Sequence, residues 1–265
     1  MHPRLLALPL VLSFGVAACG GGSQPASTPA SEPAPSTPAA SAVDPATAAT
    51  VAGKVSVEGA LPANQPIRMN ADPACVQANQ GKPGMQQTFV GEAGGLGNVF
   101  VYVQSGLTGT FPTPTTSVTM DQVGCHYVPH VFGVQVGQPI EIVNSDSTLH
   151  NVHATPKTNQ EFNTAQPIKG MKTSHTFTAK EADVVVPFKC DVHGWMNAYV
   201  GVLDHPYFAV SKPDGSFSIP NLPPGTYKLA AWHERLGTQT IDVTVAAKES
   251  KADANFTFKS AGAAN

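Results

Sequence analysis

The chain has 265 residues, among them 24 Gly and 24 Pro, and only 12% are charged, with a formal net charge of −3 at pH 7. This charge excludes the basic surface with which proteins neutralise phosphates, so no nucleic-acid partner is expected. The prolines exclude a helical bundle or coiled coil, because proline inside a helix removes a hydrogen bond and clashes with the preceding turn. The 42% hydrophobic residues are enough to bury a core.

Residues 1–19 have the pattern of an export signal. A thin positive start precedes the apolar stretch 5–12, which is too short to span a bilayer. Residues 16–19, Val-Ala-Ala-Cys, resemble a bacterial lipobox, which implies lipid on Cys19. An ordinary cleaved signal peptide is the alternative. Gly20 after the cysteine resembles the sorting signal for the outer membrane. The sequence therefore predicts an exported chain, lipid-anchored at the periplasmic or outer face of the envelope rather than spanning a membrane.

Residues 20–50 are predicted to be a disordered tether. They repeat Ser, Thr, Ala and Pro and carry two acidic side chains, Glu32 and Asp44. Such a segment has almost nothing to bury and stays extended. The folded part is expected to begin near Val51, and residues 260–265 are expected to form a short tail.

The remainder of the chain predicts an all-β fold. Short alternating or β-branched runs recur, separated by Gly, Pro, Asn or Asp, and no segment keeps a 3.6-residue period. Examples are residues 98–103, 140–143, 184–188 and 199–203. Many short strands with turn signals between them are typical of a β-sandwich.

Three side chains at Cys-x2-His-x2-Met spacing form the main candidate site: Cys190, His193 and Met196. A thiolate, an imidazole and a thioether within seven residues suit a soft, redox-active ion better than Zn²⁺ or Mg²⁺. Two His and one Cys with a weak axial Met are the ligand set of blue copper. One short loop cannot supply the second His, and His150 is the best donor. A chance cluster with a buried free thiol is the alternative.

Residues 140–153 read as a strand, a polar turn, and then His150-Asn151. This arrangement resembles the cupredoxins, the plastocyanin and amicyanin family, whose first His ligand lies in an Asn/Asp-rich turn about forty residues before the Cys loop. Here His150 lies 40 positions before Cys190, and the short Cys-x2-His-x2-Met loop is most similar to amicyanin. The resemblance implies a Greek-key β-sandwich that holds one type 1 copper with four ligands: His150, Cys190, His193 and Met196.

The resemblance also implies roles for neighbouring residues. The Asn after the first His ties the two ligand loops together in the family, which gives Asn151 that role. The loop His is the ligand nearest the surface in the family, so His193 is expected to be the electron port. Trp195, between two of these ligands, is expected either to pack in the loop, or to cover the copper or contact a partner. His153 also lies within reach of the turn, as a replacement or an additional ligand.

Four cysteines are present, at positions 19, 75, 125 and 190. If Cys19 carries lipid, three remain in an oxidising compartment, and one thiol is left over. With Cys190 assigned to copper by the resemblance, Cys75 and Cys125 are predicted to form a disulfide. Two separate thiols are the alternative.

After residue 204 the strand pattern restarts. Asp214-Gly215 predicts a hairpin turn, and Leu-Pro-Pro-Gly-x-Tyr follows at 222–227. Together these motifs resemble the transthyretin-like regulatory repeats of carboxypeptidases, which implies a smaller β-sandwich at 205–259 and no particular activity. The cupredoxin-like domain is predicted at 85–204, with residues 51–84 packed on one or both domains. A cupredoxin inserted into a discontinuous transthyretin-like domain is the alternative.

Two further groups are candidates for binding. His126 and His130, beside Cys125, form either a second metal site or a polar loop. Residues 232–234, Trp-His-Glu, form either a ligand site or a capped strand end.

The sequence predicts a membrane-anchored blue copper protein that carries single electrons and is not an enzyme. A redox protein, such as a c-type cytochrome or a dehydrogenase, is the expected partner. A lipoprotein module that binds a protein or a glycan, and a copper-delivery protein, are the alternatives. A multicopper enzyme is disfavoured because the paired His-x-His motifs of a second copper cluster do not occur.

Overall fold

The computed structural model of the chain describes residues 43–260. The signal segment 1–19 with Cys19, the linker up to residue 42, and residues 261–265 lie outside the described range. Within that range, no helix combines the length and the apolar character that a membrane crossing needs.

The fold is all-β, as predicted. Over the described residues the elements in chain order are β1 (Ala49–Glu58), α1 (Pro73–Ala78), β2 (Phe100–Ser105), β3 (Val118–Val123), β4 (His126–Val128), β5 (Val131–Gln135), β6 (Pro139–Asn144), β7 (His150–Ala154), β8 (Phe162–Gln166), β9 (Lys172–Thr176), β10 (Val185–Lys189), β11 (Asn197–Leu203), β12 (Phe208–Val210), β13 (Ser216–Leu222), β14 (Gly225–His233), β15 (Gly237–Val245), β16 (Ser250–Lys251) and β17 (Phe256–Lys259).

Residues 118–203 form one β-sandwich, here called the central sandwich. Its two sheets have the strand orders β5-β11-β10-β7-β8 and β4-β3-β6-β9. Strand β6 shows why they pack, because Ile140 and Ile142 are buried while Glu141 between them is half-exposed. This period of two places one face of each strand in a shared apolar core.

A second pair of sheets forms the flanking sandwich. The first has the order β13-β1-β16 with β17 also paired to β1, and the second has the order β12-β2-β14-β15. Val51 and Val55 of β1, Ile219 of β13 and Phe256 of β17 lie in one apolar core between these sheets. The strand after the Asp214-Gly215 turn is β13, which pairs antiparallel with β1.

The strand pairing differs from the segmentation expected from sequence. Strand β1, expected in the 51–84 segment, and β2, expected in the 85–204 domain, both pair with strands of residues 205–259. The flanking sandwich therefore takes strands from both sides of the central one, as in the insertion alternative. Alternation could not show this, because a period of two reveals which faces of a strand are buried and not which sheet the strand joins.

Strand β2 lies between the two sandwiches. Its alternate residues Val101 and Val103 enter the flanking core, whereas Phe100 and Tyr102 face the central sandwich. Gly201 of β11 and its partner Gly133 of β5 allow this close approach. A Cβ on Gly201 would lie 2.1 Å from a ring atom of Phe100. Only glycine therefore fits between the sheets at this point.

Residues 61–98, here called the crossing segment, connect β1 to β2 by way of the central sandwich. Ile67, Met69 and Cys75 are buried in the central core, and Leu96 returns to the flanking core. Helix α1 lies in this segment. The predicted disulfide between Cys75 and Cys125 is confirmed, and it fastens α1 to the loop between β3 and β4.

Candidate metal centre

The central sandwich brings three of the predicted ligands together. The Nδ1 atoms of His150 and His193 lie 3.0 Å apart. Ligand atoms of these two residues and of Cys190 all lie within 4.8 Å of one another, and all three side chains are buried. Cys190 is the free cysteine among the described residues. Two imidazole nitrogens and a thiol thus converge on one point inside the protein.

Strand order explains this convergence. Strands β7 and β10 are antiparallel neighbours, so the end of β10, which leads to Cys190, runs towards the start of β7, where His150 lies. Residues 190–196 are the loop that joins β10 to its other neighbour, β11. His193 is therefore held at the same end of the sheet as His150.

Backbone hydrogen bonds close the 190–196 loop. The Met196 N–H donates to the His193 carbonyl at 2.8 Å, and the Cys190 N–H donates to the Met196 carbonyl at 3.1 Å. The His193 N–H points to the Cys190 sulfur at 3.4 Å, where it favours a thiolate. Met196 is buried in the central core directly beside these residues in the chain.

Asn151 ties the two ligand loops together, the role that the resemblance implies. Its Oδ1 accepts from the Asp191 N–H at 2.8 Å and lies 3.3 Å from the Cys190 sulfur. Its Nδ2 donates to the Asp191 carboxylate at 3.0 Å. Tyr127, fully buried below, donates its hydroxyl hydrogen to the Asn151 carbonyl. The position of Cys190 relative to β7 is therefore fixed on several sides.

Two carboxylates that the sequence analysis missed hold the outer nitrogens of the histidines. Asp146 Oδ2 accepts from His150 Nε2, and Asp72 Oδ2 accepts from His193 Nε2, each at 3.0 Å. A carboxylate on the second nitrogen of a ligand His fixes the tautomer and the ring orientation. Asp146 could have been suspected from its place in the polar turn four residues before His150, but no local signal marks Asp72.

These contacts shift the pKa values of the cluster in different directions. Burial alone would lower the pKa of His150, but its hydrogen bonds to Asp146 and Cys190 outweigh this and raise the pKa to about 9. Burial lowers the pKa of His193. Burial would raise the pKa of the Cys190 thiol, but hydrogen bonds from His150 and neighbouring N–H groups lower it.

The facing Nδ1 atoms fit this difference between the rings. Two imidazole nitrogens at 3.0 Å are hydrogen-bonded only if one carries a proton, and His150 has the raised pKa. Because the pKa of His150 is raised and that of His193 is lowered, we expect His150 to donate from Nδ1 and His193 to accept. A metal ion at this point would replace that proton, so its binding would release protons and depend on pH.

His153 lies outside the cluster. Its Nδ1 is 2.9 Å from Asp191 and its Nε2 is 2.7 Å from Glu161, at the edge of the surface. Strand β7 explains the separation, because residues an odd number of positions apart on a strand point to opposite faces. The structure therefore does not bring His153 to the ligands.

The expected exposure of His193 is not found, since this side chain is only 3% exposed. The crossing segment covers the imidazole ring. Asp72 is hydrogen-bonded to His193 Nε2, and the Cys75 sulfur lies 3.7 Å from the same nitrogen. The ring of Trp195 lies 5.0 Å from the imidazole ring, and its Nε1 donates to the Cys125 carbonyl at 3.1 Å. Trp195 thus covers His193, and solvent does not reach the imidazole edge.

The other candidate groups have structural partners. His130 is paired with Glu234 at 2.6 Å in a buried contact between the two sandwiches, whereas His126 binds the carbonyls of Gly124 and Met85. Both histidines line the same cavity, but among the described residues they belong to no cluster of metal-ligating side chains. His233 caps its strand end, since its Nδ1 accepts N–H groups from the two residues after Glu234.

Comparisons with known proteins give partial matches. The family described as polysaccharide lyase family 4, domain II, matches residues 177–253, which include the end of the central sandwich and much of the flanking one. It is a different family from the carboxypeptidase repeats, so that resemblance stays a prediction. No curated protein matches the chain.

Among solved structures, the chain is similar to a copper-containing nitrite reductase (NirK) from Thermus scotoductus SA-01, with 24% identity, a TM-score of 0.30, and coverage of 38% of this chain and 25% of that one. It is similar to a purple cupredoxin from Nitrosopumilus maritimus, with 22% identity, a TM-score of 0.28, and coverage of 32% and 98%. It is also similar to a reduced amicyanin variant, with 21% identity, a TM-score of 0.29, and coverage of 38% and 97%. The chain thus spans a quarter of the reductase and nearly all of the two cupredoxins.

Proposed function

We propose that the central sandwich binds one copper ion and carries single electrons between redox partners. The convergence of two imidazole Nδ1 atoms and the Cys190 thiol in a buried cluster carries this proposal. His150, His193 and Cys190 would be the strong ligands, with the Met196 thioether as the weak one. This donor set is the one that suits blue copper, and bound copper supplies a one-electron couple there.

The side chains around the cluster fit such a site. The carboxylates of Asp146 and Asp72 leave both Nδ1 lone pairs free to face the ion, once the shared proton has left. The hydrogen bonds of Asn151 and of the 190–196 loop keep the sulfur in place. The geometry of a site held on all sides changes little when the ion gains or loses one electron. Rapid electron transfer requires such a small rearrangement.

Burial of the ligands supports a carrier over the alternatives. His150, Cys190 and His193 are each at most 3% exposed, so a substrate has no direct contact with them in this structure. An enzyme that acts on a substrate at these three residues would need such access. A copper-delivery protein would need ligands that a recipient can reach. A lipid anchor at Cys19 and a cytochrome or dehydrogenase partner are further parts of this proposal, and they rest on the sequence alone.

Copper loading tests the site. Stoichiometric Cu(II) added to the purified protein should give an intense visible thiolate-to-copper band and a type 1 EPR spectrum. Cys190→Ala and His150→Asn should lose the band. His153→Asn is the matched control, because His153 lies on the opposite face of the same strand, and this variant should keep it. No band at full occupancy, or a band that survives in Cys190→Ala, would reject the proposal.

A second measurement separates electron transfer from copper delivery. The loaded protein should undergo repeated oxidation and reduction by small inorganic reagents with no loss of copper. A Cu(I) chelator in excess should remove copper slowly from the reduced protein. Rapid transfer of copper to the chelator would favour delivery.

A further inference from the structure

The crossing segment supplies one wall of the candidate copper site. It is not part of the central sandwich, yet Asp72 Oδ2 lies 3.0 Å from His193 Nε2 and the Cys75 sulfur lies 3.7 Å from the same atom. Asp72 and His193 are 121 positions apart in the chain. Thr148 of the His150 turn donates to the same carboxylate oxygen at 2.7 Å. One carboxylate thus contacts both ligand-bearing loops.

We infer that Asp72 is a positioning residue for His193, and that the Cys75–Cys125 disulfide holds it in place. Its importance for copper rests on the function proposed above, but its contact with His193 does not. In this arrangement the covering of the site is supplied by a segment from outside the central sandwich.

The ring of His193 must be held in one tautomer if its Nδ1 is to face a metal ion. An imidazole can carry its proton on either nitrogen, and only the form with the proton on Nε2 leaves Nδ1 free for a metal. The carboxylate of Asp72 accepts that Nε2 proton, so it selects this form and fixes the ring plane. Asp146 does the same for His150, but from a position only four residues away.

Asp72 is itself held in place by helix α1 and the disulfide. It precedes α1, where its other oxygen accepts the Ala74 N–H at 2.8 Å. A helix of six residues is too short to be stable alone. The disulfide from Cys75 to Cys125 fixes α1 on the central sandwich, and Asn79 adds a hydrogen bond to the Gly124 carbonyl at 2.9 Å.

The same disulfide is also connected to His150. The Cys125 N–H donates to Asp146 Oδ2 at 2.7 Å, and this oxygen also binds His150 Nε2. Each cysteine of the disulfide is therefore close to one of the two carboxylates. Asp72 caps the helix that contains Cys75, and Asp146 accepts the N–H of Cys125. Without the bond, α1 has fewer contacts to keep Asp72 on His193.

The test compares Asp72→Asn and Asp72→Ala with Glu92→Gln, an exposed carboxylate of the same segment. In copper-free protein at neutral pH, ¹⁵N NMR of the His193 ring should show the proton on Nε2 in wild type and in the control. Both carboxylate oxygens of Asp72 accept hydrogen bonds, Oδ1 from the Ala74 N–H and Oδ2 from Thr148 and His193. The amide of Asp72→Asn keeps only one oxygen, so its NH2 group should face Nε2 and shift the proton to Nδ1. Asp72→Ala should give a mixture of both tautomers. An unchanged His193 spectrum in Asp72→Ala would overturn the inference.

Copper affinity and reduction potential give a second test. Both Asp72 variants should bind Cu(II) about 10-fold more weakly, and their reduction potential should rise because a negative charge near the ion has been removed. The Glu92→Gln control should match wild type in both measurements. Unchanged affinity and potential in both Asp72 variants would also overturn the inference. If wild type shows no thiolate-to-copper band, the proposed function fails while the NMR result still decides the role of Asp72.

The disulfide is tested separately by a mild phosphine reductant on folded copper-free protein. Reduction should shift the His193 ring signals towards those of Asp72→Ala, and reoxidation should restore them. Unchanged signals after complete reduction, in protein that keeps its circular dichroism spectrum, would show that the disulfide does not hold Asp72.

Discussion

The two sandwiches have the same alternating strands but different interiors. The core of the flanking sandwich is a continuous apolar cluster that includes Val51, Phe217 and Phe256. The central sandwich also buries polar side chains near one end of its sheets, namely Gln122, Asn144, Asp146, His150, Asn151, Gln166 and His193. The difference teaches that a period of two specifies a sandwich, whereas a connected set of buried polar groups marks the sandwich that holds the candidate site.

The buried polar groups of the central sandwich are connected to each other. Asn144 donates to the Thr148 carbonyl at 3.0 Å and to the Gln166 carbonyl at 2.8 Å, and Gln122 donates to Gln166 Oε1. These bonds hold the turn that presents His150. A polar network of this kind rigidifies its surroundings only while its members stay paired.

The largest expected effect is in the flanking core. Phe256→Ala removes a fully buried ring and should lower the free energy of unfolding by about 3–5 kcal/mol. The copper spectrum of the folded protein should not change, because the ring lies in the other sandwich. Urea unfolding with and without copper measures both quantities. Thr257→Ala, at the exposed neighbouring position, is the control, and a shifted copper spectrum in Phe256→Ala would break the comparison.

The next largest loss of stability is expected at the junction between the two sandwiches. Gly201→Ala places a Cβ against the Phe100 ring and should cost about 2–3 kcal/mol through overpacking. Gly194→Ala is the matched control in the ligand loop, where a Cβ meets no atom within 4 Å. Thermal unfolding of both variants should show a large loss for the first and almost none for the second. Equal losses would contradict the close approach described here.

Asp146 tests whether chemistry and stability are separate in the central sandwich. Asp146→Ala leaves the Gly124 and Cys125 N–H groups without their carboxylate, which should cost about 2 kcal/mol. Copper affinity should fall as well, because His150 loses its orienting partner. Urea unfolding of the copper-free variant, paired with a copper titration, measures the two effects. A loss of affinity at unchanged stability would show that the N–H groups find other acceptors.

The smallest effect concerns a carboxylate far from the ligands. Glu181 accepts the backbone N–H groups of residues 157–159. Burial alone would raise its pKa, but these bonds and one from the Asn159 side chain lower it below the usual 4.5. The stabilisation is therefore complete above about pH 4.5 and is lost as pH falls through the lower folded pKa.

Glu181→Gln should remove that part of the acid dependence and cost about 1 kcal/mol at neutral pH. Urea midpoints between pH 3 and pH 7 test this, with Glu92→Gln as control, because Glu92 is exposed. A variant whose stability keeps the wild-type dependence on pH would contradict the assignment.

Local spacing made part of the site predictable. Cys190, His193 and Met196 lie on one loop, and the turn before His150 has its own sequence pattern. His153 could have been set aside as well, since it lies on the opposite face of the same strand. The Asp72 contact was not predictable, because it joins residues 121 positions apart and no motif marks it.

The fold was predictable to a similar depth. The all-β class followed from the alternating runs, and the disulfide followed from counting cysteines once Cys190 was assigned. The placement of β2 did not follow, because both its faces are buried and its partner strands lie more than a hundred residues later. The burial of His193 did not follow either, because the segment that covers it carries no copper motif.

The chain path has a consequence for the order of folding during synthesis. Val55 of β1 pairs with Phe256 of β17, so the first strand of the flanking sandwich must wait for the last strand of the described residues. The strands of the central sandwich, by contrast, are contiguous in the chain, from 118 to 203. Once they have folded, the ends of β2 and β12 are held as neighbours, which shortens the effective loop between them and lowers its entropic cost. We therefore expect the central sandwich to fold first and to favour closure of the flanking one.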